Sequence, residues 1–131
     1  MQTSNNAANA ALGVLIILQL TMLMFLLAGL QPHPPRAIPL FAMGPFLGTS
    51  LAIAVAALIC GPDTTRTGRS LSVVAAFCAL LSYGPQKYFD PAIGEIWPAV
   101  VAGQIAAVTL LVLVGLSLRA NARAQQTQQA V

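Results

Sequence analysis

Charge is the scarcest thing in this sequence. Nine of its 131 residues are charged, six Lys or Arg and three Asp or Glu, where ordinary soluble domains carry about a quarter. The acids are Asp63, Asp90 and Glu95, the one histidine is His33, and the cysteines are Cys60 and Cys78. Each shortage argues against a class of function. Six scattered bases, with no basic stripe among aromatics, speak against nucleic acid as a partner. Two cysteines with neither C-x-x-C nor histidine spacing read as small buried hydrophobes, not as a metal site or a bridge. His33 stands in a proline-rich stretch with no Asp, Glu, Cys or His beside it, and reads as a solvated loop residue. No cofactor is expected.

What remains is apolar. The chain is 57% hydrophobic, with a mean hydropathy of +0.79. A soluble fold of this size cannot hide so much apolar surface, and exposing it drives aggregation. The expected environment is therefore the lipid bilayer. One membrane domain over residues 1–131 is expected, and the length limits how many spans it holds.

Charges and prolines mark where those spans end. After a polar, uncharged start, residues 10–30 form a charge-free run of the length that crosses about 30 Å of hydrocarbon. It stops at Gln31-Pro-His-Pro-Pro-Arg36, where three prolines in four positions forbid a helix. A second run covers 38–60, with Gly44-Pro45 in its first third, and the loop Gly61 to Arg69 follows it. A third run, 70–86, is short for a span. Tyr83, Tyr88 and Trp97 are expected in an interfacial aromatic belt, with Lys87 snorkelling beside them. Asp90-Pro91 reads as a helix cap followed by a first-turn proline, opening a short interfacial turn to about Ile96. The fourth run, 97–118, is closed by Arg119 and Arg123, and residues 119–131 form a polar tail. The fold predicted is an all-α, integral membrane, four-transmembrane-helix bundle with short loops.

Orientation follows from Lys and Arg on each side. Four spans place both termini with the 61–69 loop, and that side carries Arg66, Arg69, Arg119 and Arg123 against Arg36 and Lys87 on the other. A multi-pass protein of the cell (inner) membrane with both termini in the cytoplasm is predicted.

Three groups of residues are candidates for function. Small residues recur every four positions at Gly44, Gly48, Ala52 and Ala56, and again at Ala99, Gly103 and Ala107. Such ridges let helix backbones approach closely, within one bundle or between proteins. Gln19 and Gln104 are the amides deep in the spans, and a buried amide needs partners; each other, Thr21, Thr49, Ser50 and Thr109 are within reach. The loop residues Lys87, Tyr88, Asp90, Glu95 and Trp97 are the one dense patch of mixed charge and aromatic character. Pro85, Pro91 and Pro98 stiffen its backbone, so it is a candidate partner surface.

No ionisable residue lies at mid-membrane depth, whereas proton-coupled carriers place one there. The small multidrug-resistance transporters match the chain in size and span count but depend on a first-span glutamate, and Gln19 is the polar residue here. The four-span eicosanoid and glutathione enzymes carry a Glu-Arg pair in the second span that has no counterpart. The run Gly84-Pro-Gln-Lys87-Tyr-Phe89-Asp90-Pro91 resembles the G-x-x-K-x-F-D-P run of DoxX-like four-span membrane proteins, which implies a quinone- or redox-associated role. In that family the run follows the first helix; here it follows the third.

The reading best supported by sequence is a non-catalytic accessory or assembly subunit of a larger membrane complex. Its partners are the lipid bilayer and either other membrane proteins or further copies of itself. The alternatives are an oligomeric carrier or channel for a small solute, and a quinone- or lipid-associated DoxX-like redox component.

Overall fold

The computed structural model describes residues 2–30 and 40–129. The proline-rich connection, with His33 and Arg36, lies outside them. Among the described residues the protein is all helical: α1 Gln2–Ala28, α2 Leu40–Cys60, α3 Arg66–Tyr83 and α4 Ile93–Gln129, with a 3-10 turn at Pro85–Phe89 between the last two. Each helix packs on its two neighbours around a ring, α1 on α2, α2 on α3, α3 on α4 and α4 back on α1; α1 touches α3 only slightly across the middle.

The buried positions explain the ring. In α1 they are Ala8, Leu12, Leu15, Gln19 and Leu26; in α2, Leu47, Ser50, Ala54 and Ala57. In α3 they include Gly68, Ser72, Ala75, Ala79 and Ser82, and in α4 Val100, Gly103, Ala107, Leu110 and Val114. The α2, α3 and α4 sets alternate steps of three and four residues, and α1 does so from Ala8 to Gln19 before a double step to Leu26. That average of about 3.5 keeps a narrow seam facing the neighbouring helices along the whole length. Most seam residues are alanine, glycine or serine, so the backbones lie close and contacts are van der Waals rather than large interlocking side chains.

Three helices, Asn5–Ala28, Phe41–Cys60 and Ile93–Gln129, are long and apolar enough to cross a membrane. α3 is not among them. Its 18 residues rise about 27 Å, and its first turn holds Arg66 and Arg69.

Other boundaries also differ from expectation. α1 begins at Gln2, eight residues before the apolar run, because Ala8 and Ala11 continue the seam into the polar stretch and pack in the core. α3 ends at Tyr83, short of residue 86, where Gly84 is extended and Pro85 opens the 3-10 turn. The short turn foreseen up to Ile96 is not separate. α4 begins at Ile93 and runs through Trp97 and Pro98. Pro45 and Pro98 each stand at the sixth residue of their helix, so each removes one backbone hydrogen bond near an end where several are missing already. From Leu118 to Gln129 α4 is exposed and adds nothing to the core.

The α2–α3 connection is tight. Gly61 is left-handed (φ +80) and accepts from the amides of Thr64 and Thr65. Thr65 caps α3, its Oγ1 accepting from Gly68 N at 2.9 Å while donating to Cys60 O at 2.8 Å. Ser72 Oγ donates to Pro62 O.

Candidate functional site

The polar groups of the bundle gather toward the end where α1 and α3 finish and α4 starts. Tyr83 is their centre. Expected at the interface, it is instead buried, and its hydroxyl crosses the bundle to donate to Leu18 O of α1 at 2.7 Å. It reaches there because Gly103 of α4 leaves room: a Cβ on Gly103 would stand 2.9 Å from the Tyr83 Cβ. The next residue, Gln104, donates to Tyr83 O at 3.0 Å and accepts from the Tyr88 hydroxyl at 3.2 Å. One chain of hydrogen bonds thus joins α1, the end of α3, the 3-10 turn and α4.

Gln19 and Gln104 are not brought together. Gln19, 1% exposed, donates to Ser50 Oγ of α2 at 2.7 Å. Its Oε1 has no partner among the described residues.

The loop divides into an inward and an outward half. Lys87 does not extend away from the bundle as expected. Its ammonium pairs with Asp90 Oδ2 at 3.3 Å, both side chains 13% exposed. Asp90 Oδ1 accepts from Ala92 N, and its backbone oxygen accepts from Ile93 N, so this carboxylate leads the chain into α4. The Ala92 N–H holds the Asp90 carboxyl below the usual carboxylate range; burial opposes this and Lys87 assists it. Gln86 donates to Leu80 O and Leu81 O at the end of α3, satisfying carbonyls that a helix terminus leaves open. Turned outward are Tyr88, Glu95, Trp97 at 55% exposure and Phe89 at 90%.

Lys87 stands between two cavities. The larger, about 610 Å³, lies between the start of α2 and the end of α3, with Met22 of α1 behind it. The smaller, about 200 Å³, lies among α1, Tyr83 and the start of α4, with Glu95 on its wall.

Comparison with protein-family models, curated proteins and solved structures returns no match. The likeness to DoxX-like proteins is confined to residues 84–91, and the site rests on its own geometry.

The two small-residue ridges lie differently. Gly103 and Ala107 are buried, Gly103 against Tyr83 of α3, with Ala99 half-buried. On α2 the core is filled by Leu47, Ser50, Ala54 and Ala57 instead. Ala52 is exposed, Gly44, Gly48 and Ala56 are half-buried, and a Cβ on either glycine would meet nothing within 4 Å among the described residues. Cys60 and Cys78 are free and half-buried. Among the described residues there is no group of three or more His, Cys, Asp or Glu suited to a metal ion.

Sequence reasoning placed Lys87, Asp90 and Gln104 in view, and Ser50 among the candidate partners of Gln19, but missed Tyr83 as the partner of Gln104. Spacing carried a signal for the choice of Ser50 and for Tyr83 alike. Ser50 sits on the same three-and-four spacing as Leu47, Ala54 and Ala57, and Tyr83 is one residue beyond the Ala75, Ala79, Ser82 seam.

Proposed function

We propose that the protein is a four-span integral membrane protein of the cell (inner) membrane, both termini cytoplasmic, that acts as a non-catalytic accessory or assembly subunit of a larger membrane complex. The observation that carries this reading is the position of the α2 glycines. The bundle packs chiefly through another face of α2 and leaves Ala52 exposed and Gly44 and Gly48 half-buried, with no described atom within 4 Å of a Cβ at either glycine. A close-approach surface of this kind suits a helix of a second membrane protein, because van der Waals packing of small residues is what associates helices in lipid. Phe89 and Trp97 extend the contact surface into the interface, where aromatic side chains add area at low entropic cost.

The fourth span is supported by the setting of α3. It is held between two helices that are each apolar enough to span, and it turns Val74, Phe77 and Leu81 outward. Arg66 and Arg69 at its start match a headgroup position. Topology is tested by single-cysteine labelling in intact cells, in a background with Cys60 and Cys78 replaced. Probes at residues 31–36 and at 88 should label from outside, whereas probes at 64–67 and beyond 120 should label only after permeabilisation. Outside labelling of 64–67 reverses the orientation.

The accessory role is tested by gentle-detergent purification of wild type and Gly48→Leu. Among the described residues nothing lies within 4 Å of a Cβ there, so the bundle should keep its melting temperature. Recovery of any co-purifying membrane protein should fall about tenfold, equivalent to 1.4 kcal/mol of association free energy. If Gly48→Leu retains every partner, while Phe89→Ala with Trp97→Ala releases them, the interface is in the loop. If neither change alters recovery, the subunit reading fails.

A further inference from the structure

We propose that the cleft between the start of α2 and the end of α3 binds one phospholipid with a primary-ammonium, ethanolamine-type headgroup. The inference rests on the membrane reading above and adds a ligand to it. The cavity volume of about 610 Å³ falls within the usual ligand-pocket range of about 300–1,000 Å³. Its walls include Met22, Met43, Phe46 and Leu81 from three helices, and Leu81 is 68% exposed. The cleft therefore reaches the outer surface of the bundle between two neighbouring helices, where a lipid tail can enter sideways. Two methionines in the wall adapt readily to a flexible acyl chain.

Charge selects the headgroup. Lys87 and Asp90 line the cleft, whereas Glu95 belongs to the smaller cavity. The Lys87 ammonium has three donors, and among the described residues Asp90 Oδ2 is its hydrogen-bond acceptor. Donors remain for a phosphate oxygen. The cleft carries one ammonium and one carboxylate, a neutral pair that a zwitterion matches and a lipid with net negative charge does not. A zwitterion is complementary: its phosphate meets Lys87 and its ammonium meets Asp90, both on the wall of the cleft. A primary ammonium also donates hydrogen bonds to a carboxylate, which a choline group cannot.

The test is native mass spectrometry of the full chain reconstituted with phosphatidylethanolamine, phosphatidylcholine and phosphatidylglycerol at equal mole fractions. Ethanolamine lipid should be retained at least about tenfold over each of the others. Lys87→Met should remove that preference. Phe46→Trp, which fills the cleft and leaves Lys87 and Asp90 unsubstituted, should lower retention of all three, and helix content and melting temperature report whether each variant is folded. Equal retention of the three lipids by wild type overturns the proposal, as does preferred retention of phosphatidylglycerol. Should Lys87→Met not fold, the wild-type competition and Phe46→Trp still decide. A chain that inserts into membranes without lipid preference refutes the site alone, whereas a chain that does not enter the membrane fraction refutes the four-span reading.

Discussion

Leucine at Gly103 is expected to destabilise the bundle by about 3 kcal/mol, the upper end of the ordinary overpacking range. Even a bare Cβ there comes 2.9 Å from Tyr83 Cβ and 3.0 Å from Tyr83 Cγ. Those atoms are next to the α3 backbone, so no side-chain rotation clears them, and α3 and α4 must separate. Separation strains two hydrogen bonds at once, Tyr83 to Leu18 O and Gln104 to Tyr83 O. Such polar contacts contribute individually about 0.6 kcal/mol in membranes, so steric exclusion dominates the loss. Unfolding in mild detergent by sodium dodecyl sulfate titration measures it. Gly48→Leu and Gly115→Leu are the controls, since among the described residues a Cβ at either glycine meets nothing within 4 Å, and each should stay within about 0.5 kcal/mol of wild type. Equal losses at Gly103 and Gly48 would show that the α3–α4 contact is looser than described.

A single methyl group at Gly68 should be nearly as damaging. In Gly68→Ala the new carbon collides with the backbone oxygen of Gly61, and Thr65 Oγ1 is 3.0 Å away. Backbone cannot be repacked as a side chain can. The turn must open, which removes the Thr65 cap and the Ser72 bond to Pro62 O. Loss of a helix cap alone costs about 1 kcal/mol, and with the collision added we expect about 2–3 kcal/mol. Gly94→Ala is the comparison, because Gly94 is exposed in α4 and its Cβ would meet nothing within 4 Å among the described residues. That change should stabilise by about 0.5–1 kcal/mol through helix propensity. Hydrogen exchange of residues 61–68 should rise selectively in Gly68→Ala, and unchanged exchange there would place the damage elsewhere.

Both predictions turn on contacts between helices, and these were the least legible feature of the sequence. The four-residue ridges illustrate why. At 100° per residue, each four-residue step overshoots a full turn by about 40°. From Gly44 to Ala56 the ridge therefore winds about 120° around α2 and cannot stay on one face. The shorter set Ala99, Gly103, Ala107 drifts about 80° and remains within the buried stripe. The seams that close the bundle use alternating steps of three and four. In a chain apolar on all sides, hydropathy does not distinguish that spacing from any other, because lipid-facing and core-facing residues are equally hydrophobic.

Composition and the placement of nine charges determined the all-helical class, the apolar runs and the turns between them, because in lipid each backbone polar group must be satisfied within a helix. Glycine and proline at 61–62 and 84–85 marked chain breaks by their own backbone geometry. Which way each helix faces was decided by tertiary packing. Gln19 meets Ser50 rather than Gln104, and Tyr83 turns inward rather than to the interface. Lys87 pairs with Asp90 instead of extending away from the bundle. These choices depend on where a neighbouring backbone comes close enough to offer an acceptor or leaves room for a ring, and that distance is a property of packed helices, not of any one of them.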